Sequence, residues 1–391
     1  MVEDTPGAYL DHAAASPLDS RVRTTMARFL DTEFGSPEGL HDWARGPAEA
    51  LETARTHVAA LLGANPDGVI FTAGDTEARN LAIKGITTAN AHRGRHIVTT
   101  AVEHPSTLAA CRTLARGEFD LTVVGVDAEG RVNPVDLAAA VRADTILVSI
   151  GHGQAEIGTV QDVGALVTAV RARNDDLAIH VDAAVTAGLV AVDATAWGCD
   201  AITIGGGSLC GPRWVGALWV REGTRLHSLI EGGLQEGGKR GGAHDVAGIA
   251  GLGEAARLAA DERPTRAAHM TALADRLIDG LLHVQEVRLN GPRQGRVPGH
   301  VQVSVGRVEG ETLVLTLAAH GVAASPGSAC SAAGKASPVL EAIGMEPPWT
   351  HSAVLLTLAP STTPAEVDYA IATFADAVAG LRAMSPLRAS A

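Results

Sequence analysis

Short β-rich runs, each nearly continuous in apolar residues and separated by amphipathic helical stretches, constrain this chain more than any other feature. The runs are VIFT (69–72), HIVTTAV (96–102), DLTVVGV (120–126), TILVSI (145–150), AIHVD (178–182), AITI (201–204) and VGALWV (215–220). Helical periodicity fills most of the gaps, over 46–63, 76–90, 105–116, 134–142 and 161–172. Strand–helix alternation of this kind predicts an α/β fold with a doubly wound, mainly parallel sheet covered on both faces. Apolar runs without a polar face fit strands buried on both sides. Past a long helical stretch near 246–283 the pattern changes. Strand-like VRLN (287–290) and HVQVSV (300–305) alternate with helices near 309–319, 337–343 and 364–382, which predicts a smaller α+β unit. The expected organisation is an N-terminal segment, 1–16, packing with the small domain, a large α/β domain over 17–255 and a small α+β domain over 256–391. The last helix opens with Thr363-Pro364-Ala365-Glu366, a capping box with proline at the first helical position.

The 391 residues suffice for two or three domains with a large core. A net charge of −13 argues against nucleic acid and against a polybasic membrane patch. No run of about 20 apolar residues is present to span a bilayer. MVEDTPGAYLDHAAA is acidic and lacks the apolar stretch of a signal peptide, so a cytoplasmic chain is expected. Of the four cysteines, Cys111, Cys199 and Cys210 lie in or beside apolar runs and read as small buried hydrophobes. Cys330 lies in SPGSACSAAG, a loop of small residues. No cysteine or histidine spacing argues for a metal.

In an open α/β sheet, ligands bind beyond the carboxyl ends of the strands. The residues there are Ala73-Gly74-Asp75-Thr76, Glu103-His104, Gly151-His152-Gly153-Gln154, Asp182-Ala183-Ala184 and Gly205-Gly206-Gly207-Ser208. Gly74-Asp75-Thr76 leads into a helix whose first N–H groups suit an anion, although Asp and Thr are also ordinary helix caps. His180, before Asp182 on a buried strand, reads as a satisfied core histidine.

The order of these runs resembles the cysteine desulfurases of the class V aminotransferase group, which use pyridoxal phosphate (PLP) on fold type I. The resemblance rests on YLDHAAASPLDSRV (9–22), VIFTAGDTEARNLAIKG (69–85), EHPS (103–106), QAEIGTVQD (154–162), HVDAAVTAG (180–188), GPRWVGALWV (211–220), EGGLQEGGKRGGAHDVAGIAGLGEA (231–255), SPGSAC (325–330) and HSAVLLTLAPSTTPAEVDYAI (351–371). It implies that Thr76 with Gly74 and Asp75 faces the cofactor phosphate, that His104 stacks on the ring, that Asp182 pairs with the ring nitrogen, and that Cys330 receives sulfur as a persulfide. Gln154 and Arg240 fall in the same blocks. Other positions depart from the pattern. Ser208 stands where the family has its Schiff-base lysine, Gly207 where it has histidine, and Ala155, Val185, Gly205, Ala243 and Leu355 replace further contacts to cofactor or substrate. The chain's three lysines are Lys84, Lys239 and Lys335; Lys239, in the loop that in the family crosses from the partner subunit, is the best placed to substitute.

These departures lead to the expectation of a degenerate desulfurase-like protein. On that reading standard PLP catalysis is lost, and the pocket is repurposed for sulfur transfer or another PLP-independent reaction through Cys330 and His104. No covalent cofactor is expected, and PLP only as a noncovalent ligand. Two alternatives stand beside it: a non-catalytic partner subunit of a true desulfurase, and an enzyme that binds PLP noncovalently. A homodimer is expected, with a protein sulfur donor or acceptor.

Overall fold

The computed structural model describes residues 7–327 and 336–384. Its strands are β1 (Ala8–Tyr9), β2 (Val69–Thr72), β3 (His96–Thr100), β4 (Asp120–Val124), β5 (Thr145–Gly151), β6 (Ala178–Asp182), β7 (Ala201–Gly205), β8 (Gly216–Val220), β9 (Val287–Leu289), β10 (His300–Val305), β11 (Val322–Ala323) and β12 (Ala353–Thr357). Strands β2 to β8 form one sheet in the order β2-β8-β7-β6-β5-β3-β4. Only β8 runs against its neighbours β2 and β7; the remaining pairs are parallel. The doubly wound, mainly parallel sheet is therefore as expected.

Register decides which residues share the carboxyl edge. Gly151 pairs with Asp182, and Asp182 with Thr203, so the ends of β5, β6 and β7 open side by side. Beneath that edge the sheet is dry: Leu147, Val148, Ile179, Val181 and Ile202 are fully buried. Burial on both faces fails for β4, whose Asp120 and Val123 are exposed, because it is an edge strand. The other edge, β2, is closed by side chains. Glu236 accepts from the Phe71 N–H at 2.9 Å, and Arg55 donates to the Val69 carbonyl at 2.5 Å, so two backbone groups open to strand addition are already paired.

Several predicted boundaries shift. The helix expected over 76–90 is Asp75–Asn80, a wider π-type turn at Leu81–Gly85, then Ile86–Ala89. Here the Gly85 carbonyl accepts from the His227 N–H at 3.1 Å, which draws it toward a neighbouring segment. Strand β12 was not expected. It pairs antiparallel with β10, and β10 with β9, in a second sheet. One 37-residue helix, Val246–Leu282, joins the two parts. Ile249, Leu252 and Ala256 pack into the core under the large sheet; Met270, Leu273 and Leu277 pack into the core under the second. Strand β1 pairs with β11, and Leu10 lies in that second core. The capping box forms as read: Thr363 N–H donates to Glu366 Oε2 at 2.7 Å, and Glu366 N–H to Thr363 Oγ1 at 3.3 Å.

Candidate active site

A cavity of about 250 Å³ opens at the carboxyl edge of the large sheet and is closed on its far side by β10 and β12. Its lining includes His12, Asp75, Arg79, His104, Ser208, Arg213, Arg266 and His300. Four of the small residues noted as departures, Ala155, Val185, Gly205 and Gly207, line it as well. Sequence reasoning thus located the mouth, but not every group in it.

Asp75 opens the helix Asp75–Asn80 behind Gly74, whose φ of +93° is open to glycine at little cost. The N–H groups of Asp75, Thr76 and Glu77 have no partner among the described residues, as a first helical turn requires. Thr76 itself is exposed and does not line the cavity. Arg240 reaches the same turn, donating from Nε to Glu77 Oε1 at 3.0 Å. The side chain of Asp75 crosses the end of β7. A Cβ at Gly205 would stand 3.0 Å from the Asp75 Cβ, so the small residue at 205 and the acid at 75 fit each other.

Asp182 ends β6, fully enclosed. Its Oδ2 accepts from Arg79 Nε at 2.5 Å and its Oδ1 from the Ala184 N–H at 3.1 Å. Burial pushes this carboxyl up, but the Arg79 guanidinium outweighs burial and holds it below the usual range. Arg79 is 1% exposed and also pairs with Asp75 at 3.0 Å. Sequence reasoning passed over Arg79. The available signal was its position four residues after Asp75, on the same helix face.

His104 caps the next helix, its Nδ1 accepting from the Ser106 N–H at 3.2 Å; burial and then Arg79 lower its pKa. Ser208 sits in the turn Gly207–Leu209 and donates to the Ala184 carbonyl at 2.5 Å. Gln154 lies behind the cavity wall. Its Oε1 accepts from the Glu156 and Ile157 N–H groups at 2.6 and 2.8 Å, so it holds a turn and does not line the main cavity. His152 is buried against Trp197, bonded to Thr186 Oγ1, with its pKa lowered to about 4 by burial. His180 is satisfied by Ser149 and Thr203, as read. Cys210, expected to be a buried hydrophobe, is only half-buried and lines the cavity. Leu355 is buried in β12, and its N–H donates to the Ser325 carbonyl at 2.7 Å. His300, missed in the sequence, is 7% exposed and faces the cavity from β10, its pKa lowered to about 4 by burial. Cys330 and Lys335 lie outside the described residues. Among the described residues no lysine lines the cavity, no group of three or more His, Cys, Asp or Glu stands ready to hold a metal, and no helix is long and apolar enough to cross a membrane.

The model of the family described as aminotransferase class-V matches residues 8–370. The chain is 40% identical over 382 residues to the cysteine desulfurase IscS of Dictyoglomus turgidum, covering 97% of this chain and 96% of that protein. It is 41% identical over 385 residues to the cysteine desulfurase IscS of Vibrio cholerae, covering 97% and 94%. Among solved structures, a NifS-like protein superposes with a TM-score of 0.91 at 30% identity, covering 96% of this chain and all of the other. These findings overturn the expectation of a degenerate, PLP-independent protein, because relatives at this identity over nearly the whole length carry the name of a working desulfurase. The expectation of no covalent cofactor falls with it, since desulfurases of this family work with covalently held PLP. The chain belongs to the class V aminotransferase family, as a homologue of the cysteine desulfurases.

Proposed function

We propose that the protein is a cysteine desulfurase. In that reaction the carbon–sulfur bond of free cysteine breaks, a sulfur–sulfur bond forms on a protein thiol, and cysteine plus thiol become alanine plus persulfide. Cys330 is the receiving thiol on this reading, and an acceptor protein takes the sulfur onward. The observation that carries the proposal is the near full-length match to cysteine desulfurases at about 40% identity. A cytoplasmic homodimer, divided into an N-terminal segment, a large domain over 17–255 and a small domain over 256–391, completes the reading.

PLP would supply the electron sink for this chemistry. The described residues meet part of what it needs. The unpaired N–H groups of residues 75–77 suit a phosphate, and His104 offers a ring to stack. Other residues do not fit it. The Asp75 carboxylate stands in the same turn, Asp182 is committed to Arg79, and Ser208 has no amine to form an imine. The reading therefore requires an amine from beyond the described wall of the cavity, and Lys239 and Lys335 are the two candidates. Lys84 sits on the turn Leu81–Gly85 and does not line the cavity.

The full chain, purified and supplied with PLP and a thiol reductant, should release alanine and sulfide from L-cysteine in equal amounts. Cys330→Ser should abolish it. Borohydride reduction followed by peptide mapping should mark Lys239 or Lys335. Absence of alanine above background overturns the desulfurase reading; alanine without a pyridoxyl-lysine overturns the placement of the amine.

A further inference from the structure

Two polar groups on the wall formed by β10 and β12 have hydrogen-bonding capacity that no described residue takes up. His300, on β10, is 7% exposed and lines the cavity, yet neither ring nitrogen has a hydrogen-bond partner among the described residues. The Pro298 carbonyl favours its charged form but stands outside hydrogen-bond geometry. Buried polar groups left this way are rare, and each calls for a partner. Thr357, directly opposite on β12, lines the cavity too. Its Oγ1 accepts from the Ala13 N–H at 2.8 Å, so the hydroxyl proton is left to donate. Side chains of opposite residues start about 5 Å apart. One imidazole N–H and one O–H can therefore meet the two oxygens of a single group.

The surrounding charge fits an anion. Among the described residues the cavity lining holds one carboxylate, Asp75, and it is paired with Arg79 at 3.0 Å. Arg266, also in the lining, is paired with Glu262 at 2.7 Å. Arg296, behind His300, is different. Its Nη1 donates to the His300 carbonyl at 3.0 Å, and its Nε and Nη2 donate to the Pro292 and Asn290 carbonyls at 2.8 Å, so its bonds go to neutral groups. Its charge acts on the imidazole and opposes a proton there. We infer that His300 and Thr357 form a binding site for a small carboxylate, each donating to one oxygen, with Arg296 behind them favouring the negative charge. The inference deepens the desulfurase reading, on which it rests in taking an amino acid as the ligand: it names the groups that hold the substrate's carboxylate. Hydrogen bonds to an ionised acceptor are about twice as strong as those between neutral groups. An ammonium group in the same place would set donor against donor beside a guanidinium.

The test is isothermal titration calorimetry of the purified full chain with two probes, L-alanine and ethylamine, which differ only in the carboxylate. Wild type should bind L-alanine at least about tenfold more tightly than ethylamine, the size of one charge-assisted hydrogen bond. His300→Leu and Thr357→Val should each cut that ratio to about threefold or less. The His300 ring makes no hydrogen bond to a described residue, so its replacement breaks none there, and a merely structural effect would weaken both probes alike. His300→Gln, which keeps an N–H, should hold the ratio above that of His300→Leu. Equal binding of the two probes by wild type overturns the inference, as do no binding of L-alanine and an unchanged ratio in His300→Leu. Alanine formation from cysteine is scored separately. Its absence with the expected ratios sinks the desulfurase reading alone; its presence with equal binding sinks only the carboxylate site.

Discussion

Glu103 shows at the residue scale how burial outweighs hydrogen bonding at a carboxyl with no cation bonded to it. It is 4% exposed, behind the cavity at the end of β3. Its Oε1 accepts from Thr100 Oγ1 at 2.7 Å and from the Gly151 N–H at 2.9 Å, while its Oε2 has no partner. Burial lifts its carboxyl from an ordinary 4.5 to about 8, against the two hydrogen bonds. The folded protein then keeps a proton that the unfolded chain has released, so stability falls as pH rises from about 4.5 toward 8. Between pH 6 and 8 this group should cost about 2 kcal/mol. Glu103→Gln keeps both accepted hydrogen bonds and should remove that part of the decline, read as chemical denaturation at the two pH values. An unchanged decline would place the ionised form of Glu103 in the folded state. Arg79 makes the complementary point about legibility. Asp75 and Asp182 were both legible as strand-end residues, yet their shared partner was not, because Asp182 lies 103 positions beyond Arg79 and only the sheet register brings them together.

Close approach of elements explains both what could and what could not be read. The strands β6 and β10 have the predicted bounds because their apolar runs end sharply at polar or glycine residues. The π-type turn at Leu81–Gly85 could not be read, and the bond its Gly85 carbonyl accepts from His227, far along the chain, leaves no trace in periodicity. The HSAVLLT stretch was visible, but its role as β12 depends on pairing with β10, which periodicity does not reveal. The helices Arg45–Leu61 and Val246–Leu282 show what such an approach demands of composition. A Cβ at Gly253 would stand 2.4 Å from the Ala54 Cα and 2.5 Å from its Cβ. Helices this close tolerate no added methyl without moving apart. Gly253→Ala should therefore destabilise the protein by about 1–3 kcal/mol, despite alanine's better helix propensity. Thermal melting checks it, and a gain in stability would show that the crossing has slack. Gly248→Ala is a poorer probe, since its Cβ would also meet the Asp245 cap at 2.3 Å.

The candidate site is built between two cores, so its geometry depends on their being held together, and the helix Val246–Leu282 does much of that. Pro264 stands within it and lacks the N–H for a helical hydrogen bond, yet the helix continues, its two halves fixed by different cores. Leu252 and Leu277 are each fully buried, one in each core. Leu252→Ala and Leu277→Ala should each cost about 2–5 kcal/mol. Proteins with more than one core often lose all-or-none behaviour. Here the shared helix, the pairing of β1 with β11 and the cavity walls contributed by both parts oppose that separation. Each substitution should therefore move a single denaturation transition, seen alike by far-ultraviolet circular dichroism and by tryptophan fluorescence. The optical probes are unequal reporters of the two cores, because Trp197 and Trp219 lie with the large sheet while Trp349 stacks under Arg288 beside the second. If Leu277→Ala produced an early transition that leaves the Trp219 environment intact, the small sheet would unfold alone. The residues His300 and Thr357 would then leave the cavity while Arg79 and Asp182 remained in place.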